Sequence, residues 1–190
     1  MGFLDTILGR TKAKPPDLDR LFALPSAAIT LEAEAGLHPA GAAAVVFKPS
    51  TSQAFAEMGT ELTDLLALAA KESNSTIEQR DDSYGYRWIV VRDPDLDDQV
   101  NTVHLINSTL VERGFGPQLL ASVFAFKADN GPVAYLVYLY KRGTFYPFVP
   151  TGPERRDTER ELQLRGALEG ELPVENDLSR WFPIWGVPFP

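Results

Sequence analysis

Residues 119–149 read LLASVFAFKADNGPVAYLVYLYKRGTFYPFV, and this stretch decides the fold. Leu119–Lys127 and Val133–Lys141 are two runs with strand character, joined by Ala128-Asp129-Asn130-Gly131-Pro132. Asn-Gly between two such runs is the strongest short-range signal for a β-hairpin, because its turn needs positive φ and these residues accept it. Arg142-Gly143 then turns the chain into a third strand, Phe145–Val149. The stretch therefore predicts antiparallel strands rich in Phe and Tyr.

Working upstream, Val100, Val103, Asn107 and Leu110 follow one helical stripe, which Leu105, Ile106 and Thr109 extend. That predicts a helix over 96–113, stopped by Gly114 and Gly116. Two strands, 75–81 and 84–92, precede it, with Asp81-Asp82-Ser83 as their turn. From Ser50 to about Lys71, Phe55, Met58, Leu62, Leu65, Leu66 and Ala69 share one face of a helix. Ser50 and Gln53 are spaced for a capping box. Further upstream, Ala27–Glu34 alternates like a strand, Gly36–Gly41 reads as a turn and Ala42–Phe47 as the partner strand, a second hairpin. Leu18, Leu21, Phe22 and Leu24 make a short helical patch with Asp17 as N-cap, ended by Pro25.

Downstream, Pro153 opens a charged helix over 154–169, anchored by Leu162, Leu164 and Leu168. The chain closes with ELPVENDLSRWFPIWGVPFP, whose prolines argue against a helix or central strand from Trp181 on. The order of elements predicts an α+β fold: an antiparallel sheet with helices packed mainly on one face. Three segments follow: 1–16, a short amphipathic docking helix and linker; 17–172, a single α+β domain with its core over 50–170; and 173–190, a Pro/aromatic tail.

Composition narrows the function. The chain has 190 residues, enough to bury a core without covalent staples, and a net charge of −8. An acidic chain with no basic, aromatic-interleaved stripe argues against nucleic acid as a partner. It contains no cysteine, so disulfides, thiolate nucleophiles and Cys-ligated zinc are excluded. No apolar run approaches the roughly 20 residues of a membrane span, and the N-terminal patch is too short for a signal-peptide core. The expectation is a cytoplasmic protein.

Catalytic motifs are sparse. There is no GxSxG, P-loop or GxGxxG. Of the two histidines, His38 falls in the turn before Pro39, and His104 lies beside the apolar stripe of the second helix as a satisfied, partly buried residue. Neither has a partner at metal-ligand spacing. Asp93, Asp95, Asp97 and Asp98 cluster at a helix start, where acids favour the dipole, and the pattern lacks the Gly and distal Glu of a calcium loop. Neither a cofactor nor a metal is expected, and a non-enzymatic protein is the primary reading. An enzyme built on His104 and nearby acids is the competing one.

The two ends carry the remaining signal. In MGFLDTILGR, Phe3, Leu4, Ile7 and Leu8 form one helical stripe, followed by Arg10, Lys12 and Lys14 and cut off by Pro15-Pro16. Burying four large side chains yields roughly 6–12 kcal/mol gross, and ordering the segment costs about as much. Such a segment suits reversible docking to a partner groove or an anionic membrane surface, or else folds onto its own domain. Met1-Gly2 through Thr6 also fits the loose N-myristoylation pattern, which matches by chance often. Alternation splits the strand aromatics between two sheet faces, and helices on one side leave the other open. The tail, with Trp181, Phe182 and Trp185, either covers that open face or is itself a docking peptide.

MGFLDTILGRTKAKPPDLDRLFALPSAAITLEAEAG together with DLSRWFPIWGVPFP resembles the actinobacterial PspA-associated family usually called PspAB. The resemblance implies a bacterial protein of the phage-shock envelope-stress system, associated with PspA, a coiled-coil protein on the inner face of the cytoplasmic membrane, and with an HtpX-like membrane metalloprotease. It carries no catalytic residues over to this chain. The order of elements over 50–170 is also similar to the YbjN and type III secretion chaperone-like fold, whose members are small binding modules that often form homodimers. The expected function is a cytoplasmic adaptor, peripheral to the membrane, docking through Phe3, Leu4, Ile7, Leu8, Arg10, Lys12, Lys14, Trp181, Phe182 and Trp185. The alternative is a small-molecule or lipid binder with an aromatic-lined pocket between sheet and tail.

Overall fold

The hairpin expected from residues 119–141 is present. Leu119–Lys127 (β4) pairs antiparallel with Val133–Leu139 (β5), which pairs with Thr144–Phe148 (β6). On the other side of β4 runs His38–Phe47 (β1), followed outward by Arg87–Arg92 (β3) and Thr76–Asp81 (β2). The resulting six-stranded sheet has the order β2-β3-β1-β4-β5-β6, antiparallel throughout. In this computed structural model residues 17–73, 75–129 and 131–189 are described. The N-terminal stripe and its basic residues lie outside them.

Four helices, Leu24–Ala35 (α1), Gln53–Ser73 (α2), Leu96–Glu112 (α3) and Thr158–Leu168 (α4), contribute to the core on one sheet face. Phe55, Met58 and Leu62 of α2, Val103, Ile106 and Leu110 of α3, and Leu164 and Leu168 of α4 share this core with Phe124, Phe126, Tyr138 and Phe145 of the strands. Asn107 crosses the layer to donate to the Ser122 hydroxyl at 3.2 Å, and that hydroxyl hydrogen-bonds with Tyr140. The α+β architecture with helices mainly on one face is therefore as the sequence predicts.

Several local expectations are corrected. Residues 27–34 are helical, so the predicted N-terminal hairpin does not exist. Leu24, Ala27, Ala28 and Leu31 are all buried, at helical spacing i, i+3, i+4, i+7. The apparent alternation rested on alanines, which satisfy either period. Pro25 sits in the first turn of α1, where its missing N–H is no loss, and so begins the helix instead of ending the preceding one. Gly36, at φ +64°, closes α1 and passes the chain directly into β1, so His38 and Pro39 are strand residues. Asp17 makes no cap but pairs with Arg20 at 2.8 Å.

At α2 the cap is Ser52, not Ser50: its hydroxyl accepts from the Phe55 N–H at 3.3 Å. Leu65 on α2 and Leu162 on α4, expected as anchors, are exposed. The turn before β3 extends to residue 86 because the Asp82 carboxylate accepts from the N–H groups of both Tyr84 and Tyr86. Residues 150–156 form a small ribbon, Pro150–Gly152 (β7) with Arg155–Arg156 (β8), before α4 begins. Asp157 caps that helix by accepting from the Arg160 N–H at 2.9 Å, so Pro153 is a ribbon residue and not a helix start.

A buried ion pair ties α4 to the sheet. Glu161, fully buried, accepts from the Val149 N–H at 2.8 Å and from the Arg156 guanidinium at 2.9 Å. Arg156 also lies over the Phe148 ring, 5.1 Å from its centroid. Removing one partner of such a pair leaves the other's charge buried without compensation. Arg156→Ala should therefore lower unfolding free energy by about 3–5 kcal/mol, and the double change of Arg156 and Glu161 to leucine by less than the sum of the singles. Urea unfolding of Arg156→Ala, of each leucine single and of the leucine double checks this.

Candidate functional site

Strand parity makes the second face of the sheet as apolar as the first. Ala44 and Val46 of β1, Trp88 and Val90 of β3, Val123 and Ala125 of β4, Tyr135 and Val137 of β5, and Tyr146 and Phe148 of β6 all point to it. Among the described residues no helix contributes to this cluster. Its cover is the tail: Trp181 and Phe189 are buried on it, with Ile184, Trp185 and Val187 packed partly against it. Of the two sequence readings of the tail, folding back over the sheet describes what these residues do.

The tail reaches that face around the free edge of β6. The Phe145 N–H donates to Pro173 O and the Glu175 N–H to Phe145 O, both at 2.8 Å. Beyond this crossing the tail's own carbonyls become acceptors. Trp181 donates its indole N–H back to Glu175 O at 3.0 Å, and Arg156 donates to Trp181 O at 2.7 Å. Tyr146 donates its hydroxyl to Phe182 O at 2.7 Å and Tyr135 donates to Phe189 O at 3.0 Å. Burial pushes both hydroxyls up from their ordinary value, which keeps them protonated as donors. Trp181 stacks on Tyr146 with centroids 6.0 Å apart, and Trp185 meets the Phe148 ring edge-on at 5.2 Å. The prolines between these anchors limit the freedom of the unfolded tail and leave fewer N–H groups to satisfy.

At one end of the sheet the cover is incomplete. A groove of about 740 Å³ opens between tail residues 182–185 and the strand ends. Val46, Leu120, Ala121 and Leu139 line its sheet side, Tyr84, Tyr86 and Trp88 one wall, and Ile184 and Trp185 the other. Lys141, Arg142 and Arg180 also line it, together with Asp82 and Glu154. This volume lies within the usual range of ligand pockets, and apolar walls with a few polar groups are their usual chemistry. Asp82 is already engaged: besides Tyr84 and Tyr86 it accepts from the Trp88 indole at 2.9 Å. The groove is thus shaped to hold an apolar group.

The other sequence candidates lie elsewhere. His38 stands 3.5 Å from Glu32 on the first strand. His104 is part-buried on α3, 3.5 Å from Asp19 and 4.8 Å in ring separation from Phe22. Neither lines the groove. Asp95 accepts from the Asp97 N–H and Asp93 from the Asp95 N–H, each at 2.8 Å, so these two acids cap the start of α3. Among the described residues no group of three or more His, Asp or Glu is placed to hold a metal ion. Of the predicted docking residues on the tail, Trp181 is buried, Trp185 part-buried in the groove wall and Phe182 is 61% exposed. Phe3, Leu4, Ile7, Leu8, Arg10, Lys12 and Lys14 lie outside the described residues. Leu120 and Leu139 were not singled out by sequence, although Leu139 shares the parity of Tyr135 and Val137.

Trp181→Ala should cost about 3–5 kcal/mol, the range for removing a buried aromatic, while Phe182→Ala stays within about 0.5 kcal/mol; denaturant unfolding separates them. Glu175 adds a pH dependence. Burial alone would raise its carboxyl, but hydrogen bonds from Arg142, the Asp177 N–H and Thr144, with the Arg142 charge, outweigh it and hold it below its ordinary 4.5. A lowered carboxyl stabilises the fold above 4.5 and loses that contribution as pH falls through its folded value. Glu175→Gln should be less stable than the parent at neutral pH, with the gap closing below 4.5 in thermal melts across pH.

No curated protein and no solved structure matches the chain, so the likeness to the YbjN and type III secretion chaperone-like fold rests on the order of elements alone. The family model described as PspA associated protein B matches residues 1–189, nearly end to end. The residues quoted from both termini, all but Pro190, thus fall inside the match, and the chain belongs to the PspA associated protein B family.

Proposed function

We propose that this protein is a non-enzymatic adaptor of the bacterial phage-shock envelope-stress response. The observation that carries the reading is the groove on the tail-covered face: a largely apolar lining with a few charged side chains, among them an acid, Asp82, that three donors already occupy. Such a site binds and has little with which to move protons. The family's name ties the chain to PspA, and the partner on this reading is a PspA-like coiled-coil protein or an HtpX-like membrane protease at the inner face of the membrane.

The docking element is the N-terminal stripe Phe3, Leu4, Ile7 and Leu8, with Arg10, Lys12 and Lys14 supplying attraction to acidic surfaces. Among the described residues no helix is long and apolar enough to cross a membrane, which suits a peripheral attachment. Phe182 adds an exposed aromatic beside the groove, while Trp181 and Trp185 hold the tail that presents it.

A second reading, a binder of small apolar molecules or lipids, is favoured by the groove volume of about 740 Å³. Crosslinked pull-down from the native bacterium tests the first. Full-length protein should recover a PspA-like protein or a membrane protease, and Phe3→Asp with Ile7→Asp should lose it. Unchanged recovery by that variant would remove the N-terminal segment from the docking role. Tryptophan emission that shifts with added acyl chains, without any protein partner, would favour the second reading.

A further inference from the structure

We propose that the groove binds one long-chain fatty acid, its acyl chain lying across the strands and its carboxylate at the turn between β5 and β6. This rests on the second reading above, a binder of small apolar molecules or lipids, and gives it a ligand class and an orientation. The shape of the floor and the placement of charge along it both lead there.

The floor is one row of cross-strand neighbours. Trp88 on β3 faces Val46 on β1, Val46 faces Ala121 on β4, and Ala121 faces Leu139 on β5. All four belong to the tail-covered face. The row crosses three strand spacings, about 14 Å. Half the hydrocarbon of a bilayer, the depth of a single acyl chain, is about 15 Å. Val46 and Ala121 are the small members of the row, set between Trp88 and Leu139, so the floor has room at its centre. Ile184 and Trp185 of the tail close it from the other side.

The two ends of this row differ in charge. Beyond Trp88 lies the turn before β3, which brings Tyr84, Tyr86 and the acid Asp82. Two backbone N–H groups and the Trp88 indole already occupy that carboxylate. Beyond Leu139 lies the β5–β6 turn, which brings Lys141 and Arg142. Arg180 adds a third base and Glu154, in the turn between β7 and β8, a second acid, so the lining is net positive. Lys141 enters no ion pair among the described residues. Arg142 and Arg180 are held through Nε by Glu175 and Asp177, and their outer nitrogens take no partner among the described residues. A neutral apolar ligand would leave these donors unused. A carboxylate accepts from an ammonium or a guanidinium in strong charge-assisted bonds, so the basic end fits an anionic head and the aromatic end the chain terminus.

Tryptophan emission of the full-length protein reads the site, because Trp88 and Trp185 line it. Tetradecanoate, kept below its micelle concentration, should blue-shift emission saturably, and tetradecanol should bind about fivefold more weakly or worse. Shortening the acid by two carbons should weaken it about tenfold. Lys141→Glu, at an exposed position, should weaken the acid about fivefold and leave the alcohol unchanged, while Lys141→Arg keeps the parent affinity. Ala121→Leu, which fills the centre of the floor, should weaken both ligands about tenfold, with a thermal melt to check its fold. Equal affinity for acid and alcohol, indifferent to Lys141→Glu, would overturn the fatty acid and leave the apolar-binder reading standing. Affinity unchanged by Ala121→Leu would put the ligand elsewhere and overturn the site. A response to phosphatidylglycerol vesicles alone would overturn the free acid in favour of a membrane surface. No response to acid or alcohol would overturn the proposal and the apolar-binder reading together. Recovery of a protein partner by pull-down is independent of every one of these outcomes, so the adaptor reading is judged separately.

Discussion

A sheet that is apolar on both faces has to be covered twice, and among the described residues the helices supply only one of the coverings. Everything particular to the structure follows from that imbalance. The helix side is a conventional layer of side chains from α1–α4 against the strands. The other side buries Trp88, Tyr135, Tyr146 and Phe148, and without a second layer these would form an exposed patch far larger than isolated proteins tolerate. The tail meets the need with few residues because its anchors are large: Trp181 and Phe189 are buried, and Trp185 packs at their side.

An irregular cover presents a problem that a helix does not, since its backbone polar groups are unpaired by default. Here the sheet's own side chains supply donors. Tyr135, Tyr146 and Arg156 each reach out to a tail carbonyl, and Glu175 gathers Arg142 and Thr144 at the point of crossing. Arg156 is shared, since it also pairs with Glu161 and so couples tail placement to the seating of α4. One of the residues that hold the cover down, Arg156, thus also closes the helix layer. The groove lies where this cover is incomplete, at the end of the sheet where β5 turns into β6.

Much of this was legible in the sequence wherever one period competed with no other. The β4–β5 hairpin, α2 with Phe55, Met58 and Leu62, and α3 with its Val100–Leu110 stripe came through because their apolar positions fit a single repeat. Residues 27–34 were misread because alanine weighs equally in a strand and a helix, and the deciding contacts, Leu24 and Leu31 with the core, are tertiary. Pro25 and Pro153 were misplaced for a related reason: a proline marks a boundary without saying on which side the helix lies. At the candidate site the aromatics Tyr84, Tyr86, Trp88 and Trp185 were visible as residues, but Leu120 and Leu139 acquire meaning only as lining of the space under the tail.

By itself the sequence determined the α+β class, the antiparallel pairing, the two-faced distribution of aromatics and the family to which the chain belongs, because periodicity and local turn chemistry are properties of short segments. The tertiary structure alone decided which face the tail covers, which carbonyls it offers to Tyr135, Tyr146 and Arg156, and where the cover leaves a groove. Those outcomes depend on contacts between residues far apart in the chain, Arg20 with Gly143 and Tyr135 with Phe189 among them. No local pattern encodes the distance between them until the sheet has brought them together.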